Sequence, residues 1–170
     1  ITVPPEAIDG SEKLLIKVYP GIFSQVVEGL DAMLQMPYGC FEQTSSITYP
    51  NLLALDYMKS TKKITPEIRM KAEHFIAAGY QRLLTFEAEQ GGFSIFGKNP
   101  AERIVTAYGL MEFSDMSKVY EIDSAIVPRM QKWLLSKIEN DHWTPDGHYG
   151  AAYKARNSNV GATSYVTWAL

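Results

Sequence analysis

The sequence predicts an all-α domain, an array of paired helices preceded by a short β-strand segment. Three observations carry that reading. Apolar residues recur at helical spacing through most of the chain after residue 21, a Thr-x-Tyr signal appears twice behind Gly- and aromatic-rich connections, and only the first 20 residues alternate with the period of a strand.

In chain order, Lys13 to Tyr19 places Leu14, Ile16 and Val18 on one face of an extended strand that Pro20-Gly21 ends. From Ile22 the period changes. Ile22, Val26, Leu30, Met33 and Leu34 recur at helical spacing as far as Pro37. Thr65-Pro66-Glu67 then reads as a helix start, with a capping hydroxyl, proline at the first helical position and an acid in the first turn. Ile68, Ala72, Phe75, Ile76, Leu83 and Leu84 give that helix one apolar side, and a further stripe runs through Ile122, Ile126, Met130, Trp133 and Leu134. Between the stripes lie two connections, Gly91 to Gly97 and Trp143 to Gly150. Each leads into a helix expected to begin at Thr106-Ala107-Tyr108 or Thr163-Ser164-Tyr165, two signals 57 residues apart. That is the length of a helix pair with its connections, so the helices read as repeated hairpins.

At 170 residues the chain is one domain's worth, enough to hide about 70% of its unfolded surface. The division expected is a lead-in segment over 1–20, from an adjoining β domain, and a helical domain over 21–170 that stops within an apolar pattern. Apolar stretches are broken by charge or proline within a few residues, so neither a membrane span nor a leader is expected. A net charge of −3 without a Lys/Arg stripe argues against nucleic acid as a partner. The single cysteine allows no internal disulfide and no cysteine-based zinc cluster, and no metal or cofactor is expected.

That cysteine stands in Pro37-Tyr38-Gly39-Cys40-Phe41-Glu42-Gln43-Thr44-Ser45-Ser46, where a turn gives way to a new helix start. At a spacing of three, Cys40 and Gln43 can face each other across one turn. A thiol and a carboxamide held together can condense with loss of ammonia, leaving an internal thioester. Thiolate leaves far more readily than an amine, so such a bond acylates an incoming amine or hydroxyl. Gly39 can take the positive φ that closing so tight a ring demands. Read alone, a lone cysteine is most often a small core residue. Two other readings compete, a cysteine-nucleophile hydrolase and a helical-repeat binding module with no functional thioester.

The segment resembles the thioester signature of the alpha-2-macroglobulin and complement family, most like its bacterial members. The resemblance extends over Ile1 to Pro20, the amphipathic stretch to Met36, and the Gly-Gly-Phe and Thr-Ala-Tyr features. It implies an α/α toroid, only part of which this chain would hold. It makes Cys40 the thioester sulfur, Gln43 the acyl donor, and Tyr38, Gly39 and Glu42 the supporting frame. Phe41 departs from the glycine usual in animal members.

The family also implies a histidine, in a connection before a later helix, that can take the acyl group and favour esters over amides. His148, 108 residues beyond Cys40, is the candidate and His142 the runner-up, while His74 is given no role. Tyr38, Phe41, Phe93, Phe96 and Trp143 could keep the bond dry, with a neighbouring domain completing the cover. The implied function is a single-use covalent trap rather than a turnover catalyst. A protease cleaves a bait elsewhere in the parent protein and is captured through its lysine amines or hydroxyls. The implied setting is bacterial defence, periplasmic or extracellular, in a parent protein of a kind often held by a lipid anchor.

Overall fold

The computed structural model describes residues 34–62, 64–146 and 158–170, with residues 6, 8, 10, 13, 15, 16, 18 and 29 besides. The expected strand over 13–19, most of the first helical stripe and the boundary at residue 20 therefore lie outside the described residues. Within them the chain is helical, with one small hairpin.

Helix α1 (Phe41–Ser60) opens directly on the Cys-Phe-Glu-Gln segment. Glu42 in its first turn and Lys59 in its last both suit the helix dipole. Its inward face carries Phe41, Leu52, Leu55 and Met58, but also Thr44, Ser45, Thr48 and Asn51, an unusually polar set for a buried face. Helix α2 (Pro66–Leu84) starts where Thr65-Pro66-Glu67 predicts: the Thr65 hydroxyl accepts from the Ile68 N–H at 3.3 Å, and Pro66 is the first helical residue. Ala72, Ile76, Tyr80 and Leu83 are buried, and α2 packs along α1 as an antiparallel neighbour would across so short a connection.

The connection after α2 differs from the expectation. It holds an antiparallel hairpin, β1 (Glu87–Glu89) with β2 (Gly92–Phe93), pairing Glu87 with Phe93 and Glu89 with Gly92. Strands of three and two residues are too short to show alternation, so periodicity alone could not separate them from a loop. Carboxylates on β1 tie it to Arg129 and Trp133, both on one helix later in the chain. Glu87 makes a two-pronged ion pair with Arg129 at 2.9 and 3.0 Å, and Glu89 accepts from the Trp133 indole at 2.8 Å.

Helix α3 (Arg103–Met116) is the centre of the domain, contacted by α1, β2, α4 (Ile126–Ser136) and α5 (Asn159–Ala169). On α4 the expected stripe is buried at Ile126, Met130, Trp133 and Leu134, with Ile122 half-buried ahead of the helix. Ser158 caps α5, accepting from the Gly161 N–H at 3.0 Å.

The recurring Thr-x-Tyr signal has a physical basis, although neither helix begins there. Both start three or four residues earlier, at Arg103 and Asn159. In the first, Thr106 Oγ1 accepts the Phe93 N–H at 2.9 Å and lies 3.3 Å from the Phe93 carbonyl. In the second, Thr163 Oγ1 accepts the Trp143 N–H at 3.1 Å and lies 3.4 Å from its carbonyl. In each, a helical threonine clips the backbone of the aromatic residue in the connection before it, which supports the reading of a repeated unit.

Candidate functional site

The chain reaches α1 through a tight turn. Gly39 has φ +82°, a left-handed conformation that side-chain-bearing residues rarely adopt. Cys40 follows in extended conformation as the N-cap. Cys40 and Gln43 then exchange contacts as a capping box: the Gln43 backbone N–H points to the Cys40 side chain, and the Gln43 carboxamide oxygen accepts the Cys40 N–H at 3.1 Å. The expected pair thus meets across the first helical turn, with Cys40 half-buried and Gln43 exposed.

A methyl group added at Gly39 would lie 2.1 Å from Gln43 Oε1 and 2.7 Å from its Cδ. The carboxamide therefore occupies the space that any other residue at 39 would fill. Glycine is required twice, once for φ and once for room.

The turn is held from three directions. Arg82, in the last turn of α2, donates Nε to the Gly39 carbonyl at 2.9 Å and adds a second bond from Nη2. Arg82 Nε also lies 3.2 Å from Thr44 Oγ1, and the Thr44 hydroxyl donates to the Tyr38 carbonyl at 3.2 Å. The Phe41 N–H donates to the Ile95 carbonyl at 3.0 Å, which fastens the start of α1 to the loop beyond β2. Arg82 further lies over the Phe86 ring, 5.9 Å from its centroid. Nothing local in the sequence marks Arg82, which is 43 residues from Gly39; an arginine in the last turn of a helix is ordinary in itself.

The aromatic residues divide. Phe41 and Phe93 are fully buried and Trp143 nearly so, with Phe41 set against Phe86, Phe93 and Tyr108. These are core residues. Trp143 donates its indole N–H to the Leu134 carbonyl at 2.7 Å. Tyr38 and Phe96, 62% and 69% exposed, sit next in sequence to two residues that hold the turn, Gly39 and Ile95. Glu42 is half-buried in the first turn of α1.

Of the histidines, His148 lies outside the described residues. His142 has both ring nitrogens engaged, Nδ1 2.9 Å from the Asn140 carbonyl and Nε2 2.8 Å from the Asn159 amide, so its bonds join the connection to α5 rather than reach Cys40. His74 is exposed on α2, its ring beside Phe75, as its place in the helical pattern predicts.

Sequence reasoning also missed a buried acid. Glu112 on α3 is fully enclosed beside Ser45 of α1. Burial pushes its carboxyl up to about 7, with only the Ser45 hydroxyl working the other way. The Ser45 hydroxyl is near enough to act on the carboxyl yet lies outside good hydrogen-bonding geometry, and the Thr48 hydroxyl has no partner in such geometry either. A lone acid in an otherwise apolar helical stripe, Leu110-Met111-Glu112-Phe113, is the one signal that could have found it. Among the described residues no group of His, Cys, Asp and Glu is arranged to hold a metal ion. No helix among them is long and apolar enough to cross a membrane.

Comparison with known proteins gives a consistent picture. The family model of the A-macroglobulin TED domain matches residues 15–170. Thioester-containing protein 1, allele S3, of Anopheles gambiae is 30% identical over the whole of this chain, which spans 13% of that protein's length; allele S1 matches equally. Among solved structures, Salmonella alpha-2-macroglobulin reacted with methylamine superimposes with a TM-score of 0.58 at 23% identity, over 85% of this chain and 9% of that one. Native Escherichia coli alpha-2-macroglobulin, from domain MG7 to the C-terminus, gives 0.57 at 24% identity, over 86% and 22%. At such identity the structural likeness speaks to the fold, which is the all-α domain expected.

Proposed function

The chain belongs to the A-macroglobulin TED domain family, and from that premise we propose that Cys40 and Gln43 form an internal thioester that captures one nucleophile and is then spent. The observation that carries this reading is the reciprocal contact of the pair over a glycine whose missing side chain leaves room for the Gln43 carboxamide. In forming the bond, the thiol sulfur adds to Gln43 Cδ, the C–N bond breaks, and ammonia leaves with the thiol proton. In capture, an amine or hydroxyl adds to the same carbon and the C–S bond breaks, returning the thiol.

Such a domain turns over nothing. It is one part of a protease trap in which neighbouring domains cover the bond until a bait is cut, and lysine amines or hydroxyls of the protease are acylated. Exposed Tyr38 and Phe96 flank the turn and suit cover by such a domain. His148 is proposed as the acyl-transfer histidine, and the setting as periplasmic or extracellular defence with a lipid anchor in the parent.

Intact mass tests the chemistry. The protein should be one ammonia lighter than its sequence, and methylamine should add one amine while freeing one titratable thiol. Cys40→Ala should show neither change. A wild-type chain at full sequence mass whose thiol titrates at once would sink the thioester. Repeated turnover of an ester substrate, lost on replacing a histidine, would favour a hydrolase instead.

A further inference from the structure

The Gly39 carbonyl and the Cys40 N–H are two ends of one peptide group. Arg82 binds the carbonyl end through Nε at 2.9 Å and through Nη2, while the N–H end donates to Gln43 Oε1 at 3.1 Å. In the thioester, Gln43 Oε1 stands for the acyl oxygen. That oxygen gains negative charge in the tetrahedral intermediate, both when the bond forms and when a nucleophile attacks it. A guanidinium on the carbonyl oxygen draws electron density along the peptide and makes its N–H a stronger donor, because hydrogen bonds in a chain polarise one another. A backbone N–H fixed at a developing oxyanion needs little reorganisation as the charge appears.

Resting on the thioester reading above, we propose that Arg82 is a positioning residue for the reaction, acting through the Gly39–Cys40 peptide to orient and polarise the Cys40 N–H as the oxyanion donor. The guanidinium touches neither reacting atom in this scheme. Three features favour a positioned role over a general surface contact. Both bonds fall on one carbonyl, a planar fork holds its peptide acceptor in a fixed orientation as an ammonium would not, and Thr44 beside Nε fixes the same turn through the Tyr38 carbonyl.

The test uses the full-length protein with wild type, Arg82→Met and Arg82→Lys in parallel. Four quantities are read: the bonded fraction by intact mass, the rate constant of methylamine-triggered thiol release per bonded molecule, the carbonyl stretch of a 13C-labelled Gln43 acyl group, and the melting temperature. The proposal expects Arg82→Met to slow release per bonded molecule by roughly ten- to a hundredfold, less than loss of a direct oxyanion donor would. The acyl carbonyl stretch should move to higher frequency, and Arg82→Lys should recover part of both effects.

A merely structural role predicts a lower melting temperature and a smaller bonded fraction, with rate per bonded molecule and carbonyl frequency unchanged. That result overturns the proposal and leaves the thioester standing. A wild type without the bond overturns the thioester reading and the proposal together. Should Arg82→Met not fold or not bond, Arg82→Gln, which keeps a donor but no charge, decides the matter by the same rate and frequency: wild-type values overturn the proposal, and shifts in the stated directions support it.

Discussion

The carboxamide of Gln43 stands where a side chain on Gly39 would have to be, its oxygen 2.1 Å from the position of the missing Cβ. Gly39→Ala must therefore move Gln43 or unwind the turn, and alanine at φ +82° is strained besides. The expected result is a folded chain without the bond, at full sequence mass and with a thiol that titrates immediately. Wild-type mass deficit in the alanine variant would refute the close approach.

Glu112 makes stability depend on pH in an unusual direction. Burial raises its carboxyl from the ordinary 4.5 to about 7, so the folded chain holds a proton that the unfolded chain releases. This contribution is complete below about pH 4.5 and is lost as pH rises through about 7. The groups facing it are the Ser45 hydroxyl and, more weakly, the Tyr49 phenol, both on α1. Thermal melts of wild type should fall between pH 5 and 8, by on the order of 3 kcal/mol at most. In Glu112→Gln that slope should vanish; an equal slope in the variant would assign it elsewhere.

Glu89 acts in the opposite sense. The Trp133 indole N–H holds its carboxyl below the usual range, helped by Lys137 and opposed by burial. Its contribution is present above the unfolded value and is lost as pH falls through the lower folded one. Glu89→Gln should weaken the acid-side loss of stability and leave the change above pH 5 as in wild type, which acid titration followed by circular dichroism checks.

Thr106 holds the buried backbone of β2. Thr106→Val leaves the Phe93 N–H without its 2.9 Å acceptor and should cost about 1–3 kcal/mol in denaturant unfolding. Thr163→Val makes the equivalent change at a half-buried site, where water can replace the hydroxyl, and should cost less. Equal costs would argue against burial as the reason.

Phe41 anchors the segment from Cys40 to Gln43 in the core, fully buried against three aromatic rings. A Cβ at Gly109 would come within 3.0 Å of its ring, so α3 is shaped to admit it. Phe41→Ala should cost about 3–5 kcal/mol by equilibrium unfolding.

What could be read from the sequence was local. Thr65-Pro66-Glu67 announces α2 because capping chemistry is a matter of adjacent residues, and Cys40 with Gln43 can be paired because a helical turn fixes what lies three apart. The repeated threonine was visible as a pattern, though not as the backbone clip it proves to be. The roles of Arg82 and Glu112 could not be read for a shared reason, although Glu112 stands out as a lone acid in an apolar stripe. Each acquires its role from a partner more than 40 residues away, and only tertiary packing decides which distant peptide or hydroxyl a side chain meets. The hairpin escaped because its strands are shorter than the period needed to recognise them.

The turn before α1 is shaped by atoms that arrive late. Arg82 reaches it only after α2 is complete, and Ile95 only after the hairpin has closed. A chain that ends soon after Gln43 has neither of these partners. The turn therefore takes its final shape from residues that follow it by more than 40 positions, and the bond proposed for Cys40 and Gln43 would depend on the packing that finishes the domain.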